Sequence, residues 1–439
     1  MYDALDMHLK HRKTCRVCGS PELSSVINLG EQYLQGSFFK PSKETPPLRK
    51  IECKLVRCDP TRFENACGLL QMEKSVPPEV LYAAYWYRSG TNRTMRDHLK
   101  AIAETAVQLT KRDRATVLDI GCNDGTLLRS YPASFRKFGV DPSDVAQEAK
   151  DVATVVQDIF PSPELDHVLA GAKVDIVTSI AMFYDLEDPI AFCRAIKDVL
   201  APDGLWIFEM SYMPKMLAMN SYDTICHEHL EYYSLAVIEN MVERAGLKIV
   251  RVEENAINGG SLRCYASHAA SIAYRDPEWQ RAIHNMRRSE FDLELDTDKP
   301  YVSFQHRIDV HRDKLVGLLR DLKRAGKKIH IYGASTKGNT ILQWCGIDHR
   351  TVDCAADRNP DKHGARTLGS DIPIVSEEDS RAQNPDYYLV LPWHFAEEFV
   401  ERERAVLERG TAMIFPLPEV KIVRMVDGRI QSALAGIEG

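Results

Sequence analysis

The chain has 439 residues with 56 basic against 63 acidic side chains, a formal charge of −7, and 11 cysteines. That length exceeds one ordinary core and favours a three-part plan. The acidic balance argues against a nucleic-acid partner, and no apolar run approaches the ~18 residues needed to span a bilayer.

Met1-Tyr2-Asp3-Ala4-Leu5-Asp6 lacks the basic-then-apolar pattern of a secretion signal, so a soluble cytoplasmic protein with reduced thiols is expected. The first chemical feature is Cys15-Arg16-Val17-Cys18-Gly19, a C-x-x-C turn in which two thiolates converge on one metal. The other half of the site must come from Cys53, Cys58 and Cys67. Cys67-Gly68 repeats the Cys18-Gly19 ending, so Cys15, Cys18, Cys58 and Cys67 are the expected ligands, with Cys53 the substitute for Cys58. Four thiolates close the coordination sphere of Zn²⁺ and make the metal structural. Reduced cysteines without metal are the plain alternative.

Glu79 to Leu109 has the apolar spacing of one or two helices, with Tyr82, Tyr85, Trp86 and Tyr87 crowded near its start. These aromatics serve as core or roof a pocket, and Tyr85 and Tyr87 carry hydroxyls that need partners if buried. From Thr116 to about Val250, short β-rich runs alternate with helical stretches: Val117–Ile120, Lys137–Val140, Thr154–Val156, Val174–Ile180 and Gly204–Glu209. The pattern predicts a doubly wound sheet, with Ala201-Pro202-Asp203-Gly204 as the turn before the fifth strand.

The first strand of that sheet breaks into Gly121-Cys122-Asn123-Asp124-Gly125 with Asp119 two residues ahead. A dinucleotide turn would read G-x-G-x-x-G to seat a pyrophosphate. This one is G-x-x-x-G behind an acid, which suits S-adenosylmethionine, a ligand with a sulfonium and an ammonium but no phosphate. Asp141, about twenty residues on and followed by Pro142, is placed to accept from ribose hydroxyls. The expected cofactor-binding residues are Asp119, Gly121, Asn123, Asp124, Gly125, Asp141, Pro142 and Asp158.

After the fifth strand comes Cys226-His227-Glu228-His229. His227 and His229 are two apart and would not share a helix face as zinc-binding H-E-x-x-H histidines do, so general-base chemistry is the better reading. A charged helical connection from Asp276 to Lys314 leads to a second α/β region, with strands at Lys328–Tyr332, Val352–Ala356 and Tyr387–Leu391. Its Gly333–Asn339 turn offers backbone N–H groups and Lys337 to a diphosphate, or is a plain βα corner. Asn258-Gly259-Gly260-Ser261 is likewise a turn or a loop allowing close sugar approach. The domain boundaries read as 1–78, 79–275 and 276–439.

Together, Cys15-x-x-Cys18-Gly19, Cys67-Gly68-Leu69-x-Gln71, the Gly121–Gly125 turn, His227-Glu228-His229, Asn258-Gly259-Gly260-Ser261-Leu262-Arg263, Tyr332–Asn339 and Asp357-Arg358-Asn359-Pro360-x-Lys362 resemble the bacterial nucleotide-sugar C-methyltransferases. That family includes the tetronitrose and mycarose 3-C-methyltransferases. The resemblance implies a small zinc-binding domain, a central class I methyltransferase domain and a C-terminal Rossmann-like α/β domain that helps hold the sugar nucleotide. It implies C-methylation beside the ketone of a nucleoside-diphosphate 4-keto-6-deoxyhexose, with His229 as base and Glu228, His227 and Cys226 in the catalytic segment. Tyr85, Tyr87, Asp185, Asn258, Lys337, Asn339 and Arg358 are the expected substrate contacts, in a monomer or weak homo-oligomer. Cys226 stands where relatives carry tyrosine, Asp185 where they carry histidine and His394 where they carry asparagine. O- or N-methylation, or a drifted sugar-nucleotide binder, are the rival readings.

Overall fold

The computed structural model describes residues 9–81 and 86–435. The N-terminal part is an antiparallel sheet of β1 (Leu23–Gln32), β2 (Ile51–Cys58) and β3 (Leu70–Met72). Its outer neighbour is a two-residue strand from far along the chain, Glu231–Tyr232. The long helix α1 (Arg93–Thr110) follows, its start capped by the Asn92 side chain accepting from the Met95 N–H. It buries Met95, Leu99, Ile102, Ala103 and Ala106, the i, i+4, i+7 stripe of a helix with one covered face.

The central sheet contains β4 (Thr116–Ile120), which passes through the Gly121–Gly125 turn into the short helix α2 (Thr126–Arg129), then β5 (Arg136–Val140), β6 (Thr154–Val156), β7 (Val174–Ile180) and β8 (Leu200–Ser211). Later come β9 (Glu231–Tyr232), which belongs to the N-terminal sheet, and β10 (Leu247–Asn255) and β11 (Ser261–His268). The spatial order is β10-β11-β8-β7-β4-β5-β6. Strands β6 through β8 are parallel, and β11 runs antiparallel to both β8 and β10. This is the class I methyltransferase sheet, and β4 sits at the point where the order reverses, so its C-terminal end opens a crevice. Val117, Leu118 and Ile120 are buried because a central parallel strand is covered on both faces. One expectation is corrected here. Residues 201–204 do not precede the fifth strand but lie inside it, since Leu200 already pairs with Val174 across a register break.

Two helices, α3 (Pro277–Asp292) and α4 (Lys299–Arg324), form the connection. The C-terminal sheet combines β12 (Ile329–Tyr332), β13 (Ala355–Asp357), β14 (Ile374–Ser376), β15 (Tyr387–Val390), β16 (Ala412–Phe415), β17 (Lys421–Val426) and β18 (Arg429–Leu434), with helix α5 (Thr336–Cys345) after β12. Its order is β14-β13-β12-β15-β16-β17-β18. The first five are parallel and the last two add an antiparallel hairpin. One hydrophobic core runs from β1 and β2 through α4 into this sheet, so the N- and C-terminal parts pack as one mass. Among the described residues no helix is long and apolar enough to cross a membrane.

Candidate active site

Between the central and C-terminal sheets lies a cavity of about 510 Å³, within the ~300–1,000 Å³ range of small-molecule sites. One wall comes from the ends of β4 and β5. Asp119, Gly121, Asn123, Asp141, Pro142 and Asp158 all line it. Asp119 is buried and accepts from the Thr178 hydroxyl at 2.6 Å; burial pushes its carboxyl up to about 7, with the charges of Asp141 and Asp124 adding to the rise. Gly121 has φ +74°, and a Cβ there would sit 3.1 Å from Met182 Cγ. Asp141 takes the Asn123 N–H on one oxygen at 2.9 Å and the Ser143 N–H on the other at 2.8 Å. Four carboxylates on this wall and its margin, counting Asp185, face the cavity with Arg88 as the nearby cation. That donor set fits a ligand carrying positive charge and hydroxyls.

Two predicted cofactor residues act differently. Asp124 does not line the cavity and accepts from the Gly90 N–H at 2.7 Å and the Thr126 hydroxyl at 2.6 Å. Asn123 lines the wall, and its side chain accepts from Ser89 N–H and donates to the Tyr87 carbonyl. The polar residues of the turn thus fasten residues 87–90 against the cofactor end. Gly125, also off the cavity, has φ +77°, and a Cβ there would stand 2.6 Å from that of Ala149. It is a packing glycine.

Across from this wall is the segment leading into β9. His229 lines the cavity and its Nδ1 lies 2.7 Å from the Thr224 carbonyl oxygen. A carbonyl only accepts, so Nδ1 carries the proton and Nε2 keeps its lone pair. Burial, reinforced by the charge of Lys337, lowers this imidazole to about 3 and keeps it neutral. Tyr184 packs on the ring at 4.3 Å between centroids, and its carbonyl accepts from Leu230 N–H at 2.7 Å. Glu228 lines the cavity too. One oxygen accepts from the Gly36 N–H at 2.7 Å, the other is buried without a partner among the described residues, and burial raises its pKa.

His227 and Cys226, grouped with His229 in the sequence, do not line the cavity. His227 is wholly buried and does not line the cavity, with Nδ1 2.7 Å from Gln35 Oε1 and Nε2 3.1 Å from the Ile51 carbonyl, and burial lowers it to about 4. A turn rather than an extended strand separates it from His229, and of the two only His229 lines the cavity. Cys226 is buried off the cavity, where desolvation keeps its thiol protonated.

Among the expected substrate residues, Tyr87, Asp185, Asn258, Lys337 and Arg358 line the cavity. Asn339 does not; its amide donates to the Gln35 carbonyl at 2.6 Å and is buried. Tyr85 and Tyr82 lie outside the described residues. Gly259 and Gly260 have positive φ, and a Cβ would come 2.9 Å from the Trp393 ring at Gly259 and 2.7 Å from Lys215 Cβ at Gly260, so these glycines make room for protein side chains. Gly36, Met182, Glu377 and Arg402 also line the site and carried no local signal, and Trp86 lines it with them. Gly36 is brought in by a contact spanning 192 residues. Trp86 stood in an aromatic cluster whose role the sequence left open.

The metal ligand set is resolved. Cys15, Cys18, Cys58 and Cys67 place their sulfurs within 4.8 Å of one another, with Cys15–Cys67 at 3.4 Å and Cys18–Cys58 at 3.5 Å. A tetrahedron with ~2.3 Å Zn–S bonds has edges near ~3.8 Å, so the set fits zinc. Cys53 is elsewhere, 3.3 Å from His227 Nε2.

Comparison with known proteins gives three family matches in series: a zinc binding domain over residues 15–82, a methyltransferase domain over 87–252, and a C-methyltransferase C-terminal domain over 256–418. The C-methyltransferase NovU of Streptomyces niveus is 29% identical over 424 residues, covering 93% of this chain and 96% of its own. The protein is an S-adenosylmethionine-dependent methyltransferase similar to the C-methyltransferase NovU. A ubiquinone biosynthesis O-methyltransferase of Neisseria meningitidis serogroup C (strain 053442) is 26% identical over 188 residues, 38% of this methyltransferase and 77% of its own chain. Among solved structures, the CcbJ methyltransferase of Streptomyces caelestis matches 43% of this chain and 95% of its own at 14% identity and TM-score 0.33. The magnesium protoporphyrin IX methyltransferase of Synechocystis PCC 6803 with bound S-adenosylmethionine matches 39% and 79%, at 16% and 0.31. The cofactor of this methyltransferase is S-adenosylmethionine, and its N-terminal cysteines form a zinc site.

Proposed function

We propose that this methyltransferase acts on a nucleoside-diphosphate 4-keto-6-deoxyhexose in the cytoplasm, adding a methyl group at C3 in the building of a branched deoxysugar. The observation that carries this reading is the tautomer of His229. Its N–H is committed to the Thr224 carbonyl, which turns a neutral lone pair into a cavity shared with the cofactor end. A base of that kind serves carbon methylation, because a C–H beside a ketone must lose its proton before the carbon becomes nucleophilic. When bound, the cofactor supplies an electrophilic methyl group. Nε2 of His229 takes the C3 proton, and the unpartnered oxygen of Glu228 accepts a sugar hydroxyl, fixing the ring above the imidazole. Tyr184 excludes water from one face of that imidazole, protecting the enolate from reprotonation by solvent.

Deuterium uptake provides the test. With S-adenosylhomocysteine bound, the wild type in D₂O should exchange the C3 hydrogen of a 4-keto-6-deoxyglucose carried on dTDP, GDP, CDP or UDP. Methyl transfer that proceeds with no exchange from any of these would point instead to an oxygen or nitrogen acceptor. Binding of a sugar nucleotide with neither exchange nor transfer would mark a non-catalytic binder.

A further inference from the structure

Lys337 belongs to the first turn of α5, in the C-terminal domain, yet its ammonium donates to the Asn258 carbonyl at 2.8 Å in the loop between β10 and β11. Among the described residues that is its one hydrogen bond, so two of its three N–H groups remain for other partners. Asp223, wholly buried, is within its electrostatic reach. One Asp223 oxygen accepts from the Trp393 indole N–H at 2.9 Å and the other has no partner among the described residues. The remaining titratable groups around Lys337 are Cys226 and His229 of the same segment, Glu228 on the same wall, and His394 from the loop after β15, whose Nδ1 is also unpartnered.

A half-buried ammonium facing a buried carboxylate is close to neutral as a pair. It is a poor seat for the two permanent charges of a diphosphate and a good one for a charge that exists only briefly. Lys337 also lies on the wall that holds the base, within electrostatic reach of His229. We propose that Lys337 is a catalytic residue that donates an N–H to the ketone oxygen of the substrate and holds the negative charge developed there, with Asp223 as its positioning residue. The inference rests on the keto-sugar reading above. In the step it assists, the C3–H bond breaks and the proton goes to Nε2 of His229. The electron pair left behind forms the C3–C4 double bond, and the former C–O π pair moves onto the oxygen beside Lys337. On methylation the pair returns through C3 to form the new C–C bond, while the methyl–sulfur bond breaks with its electrons kept by sulfur. His229 then releases its proton to solvent.

The test is the C3 exchange rate at saturating sugar nucleotide, read with the Kd of the sugar-free nucleoside diphosphate and of S-adenosylhomocysteine, the last confirming that each variant is folded. Lys337→Met should lower exchange by about 10²-fold or more while both Kd values change less than about threefold, and Lys337→Arg should recover part of the loss. Burial places the lysine below its ordinary range, so wild-type exchange should fall at alkaline pH as the ammonium loses its proton. That limb should vanish in Lys337→Met and move to lower pH in Asp223→Asn, because the carboxylate holds the ammonium charged. Unchanged exchange in Lys337→Met, with or without a weakened nucleoside diphosphate, would overturn the proposal; weakening would make the lysine a phosphate ligand. Should the wild type exchange no keto sugar at all, the substrate reading itself fails, a result visible without any variant.

Discussion

Gln71 and Glu231 are register partners in the antiparallel pair of β3 and β9, two residues beyond His229. Gln71 Oε1 also accepts from the backbone N–H of Arg16, inside the first zinc knuckle, at 3.1 Å. The cysteine knuckle, β3, β9 and the His229 segment are therefore linked in series by hydrogen bonds.

Zinc removal should accordingly disable catalysis as well as folding. Metal analysis should find one zinc per chain, lost in Cys58→Ser and retained in Cys53→Ser, since Cys53 lies beside His227 and Gln35. Retention of zinc by Cys58→Ser with full loss in Cys53→Ser would reverse the ligand assignment. Structural zinc contributes folding energy directly, so chelation should also lower Tm.

His229→Asn should reduce methyl transfer by about 10²–10⁴-fold, the usual worth of a general base. Glu228→Gln keeps an oxygen for Gly36 N–H and should cost less, about tenfold and chiefly in KM, because it alters a binding contact rather than the proton acceptor. Steady-state kinetics of both variants separates these outcomes, and equal losses in kcat would contradict the division of roles.

The pH dependence follows from burial. His229 is lowered to about 3, so the base stays unprotonated down to about pH 4, and kcat should show no acid limb near the ordinary histidine value of 6.5. Stability behaves otherwise. His227 is lowered to about 4, so the unfolded chain binds more protons there, and stability fully present above pH 6.5 is lost as pH falls towards 4. The loss is about 1.4 kcal/mol per pH unit for this one group. Denaturant titrations at pH 7.5 and 5 should show it, and His227→Gln should flatten the slope.

Asp124→Ala should weaken S-adenosylhomocysteine without removing a ligand contact. The substitution frees the Gly90 N–H and the Thr126 hydroxyl, loosening the segment that closes the cofactor end. A loss of about 1–2 kcal/mol is expected, a five- to thirtyfold rise in Kd by calorimetry. Asp119→Asn, which changes a carboxyl lining the cavity, should weaken the ligand at least as much.

Several expectations were legible because local chemistry enforces them. The apolar run before Gly121 had to be a central strand, and Gly121 needed the positive φ it has. The knuckle at Cys15 and Cys18 announced a metal, yet the choice of Cys58 over Cys53 turned on strand alternation. Cys53 and Cys58 are five apart on β2, so their side chains leave opposite faces.

What the sequence by itself determined is the order of parts: a cysteine knuckle, a sheet with an acid-flanked glycine turn, a histidine-rich segment and a second α/β unit, each marked by spacing within a few residues. Only the tertiary structure decided which of two neighbouring histidines lines the cavity. His227 and His229 differ in setting because Gln35 and Ile51 surround one ring while Thr224 bonds to the other, which lines the cavity. The contacts around His227 span 176 to 192 residues. Local spacing carries no trace of partners so distant, since burial and hydrogen bonding are properties of the assembled fold.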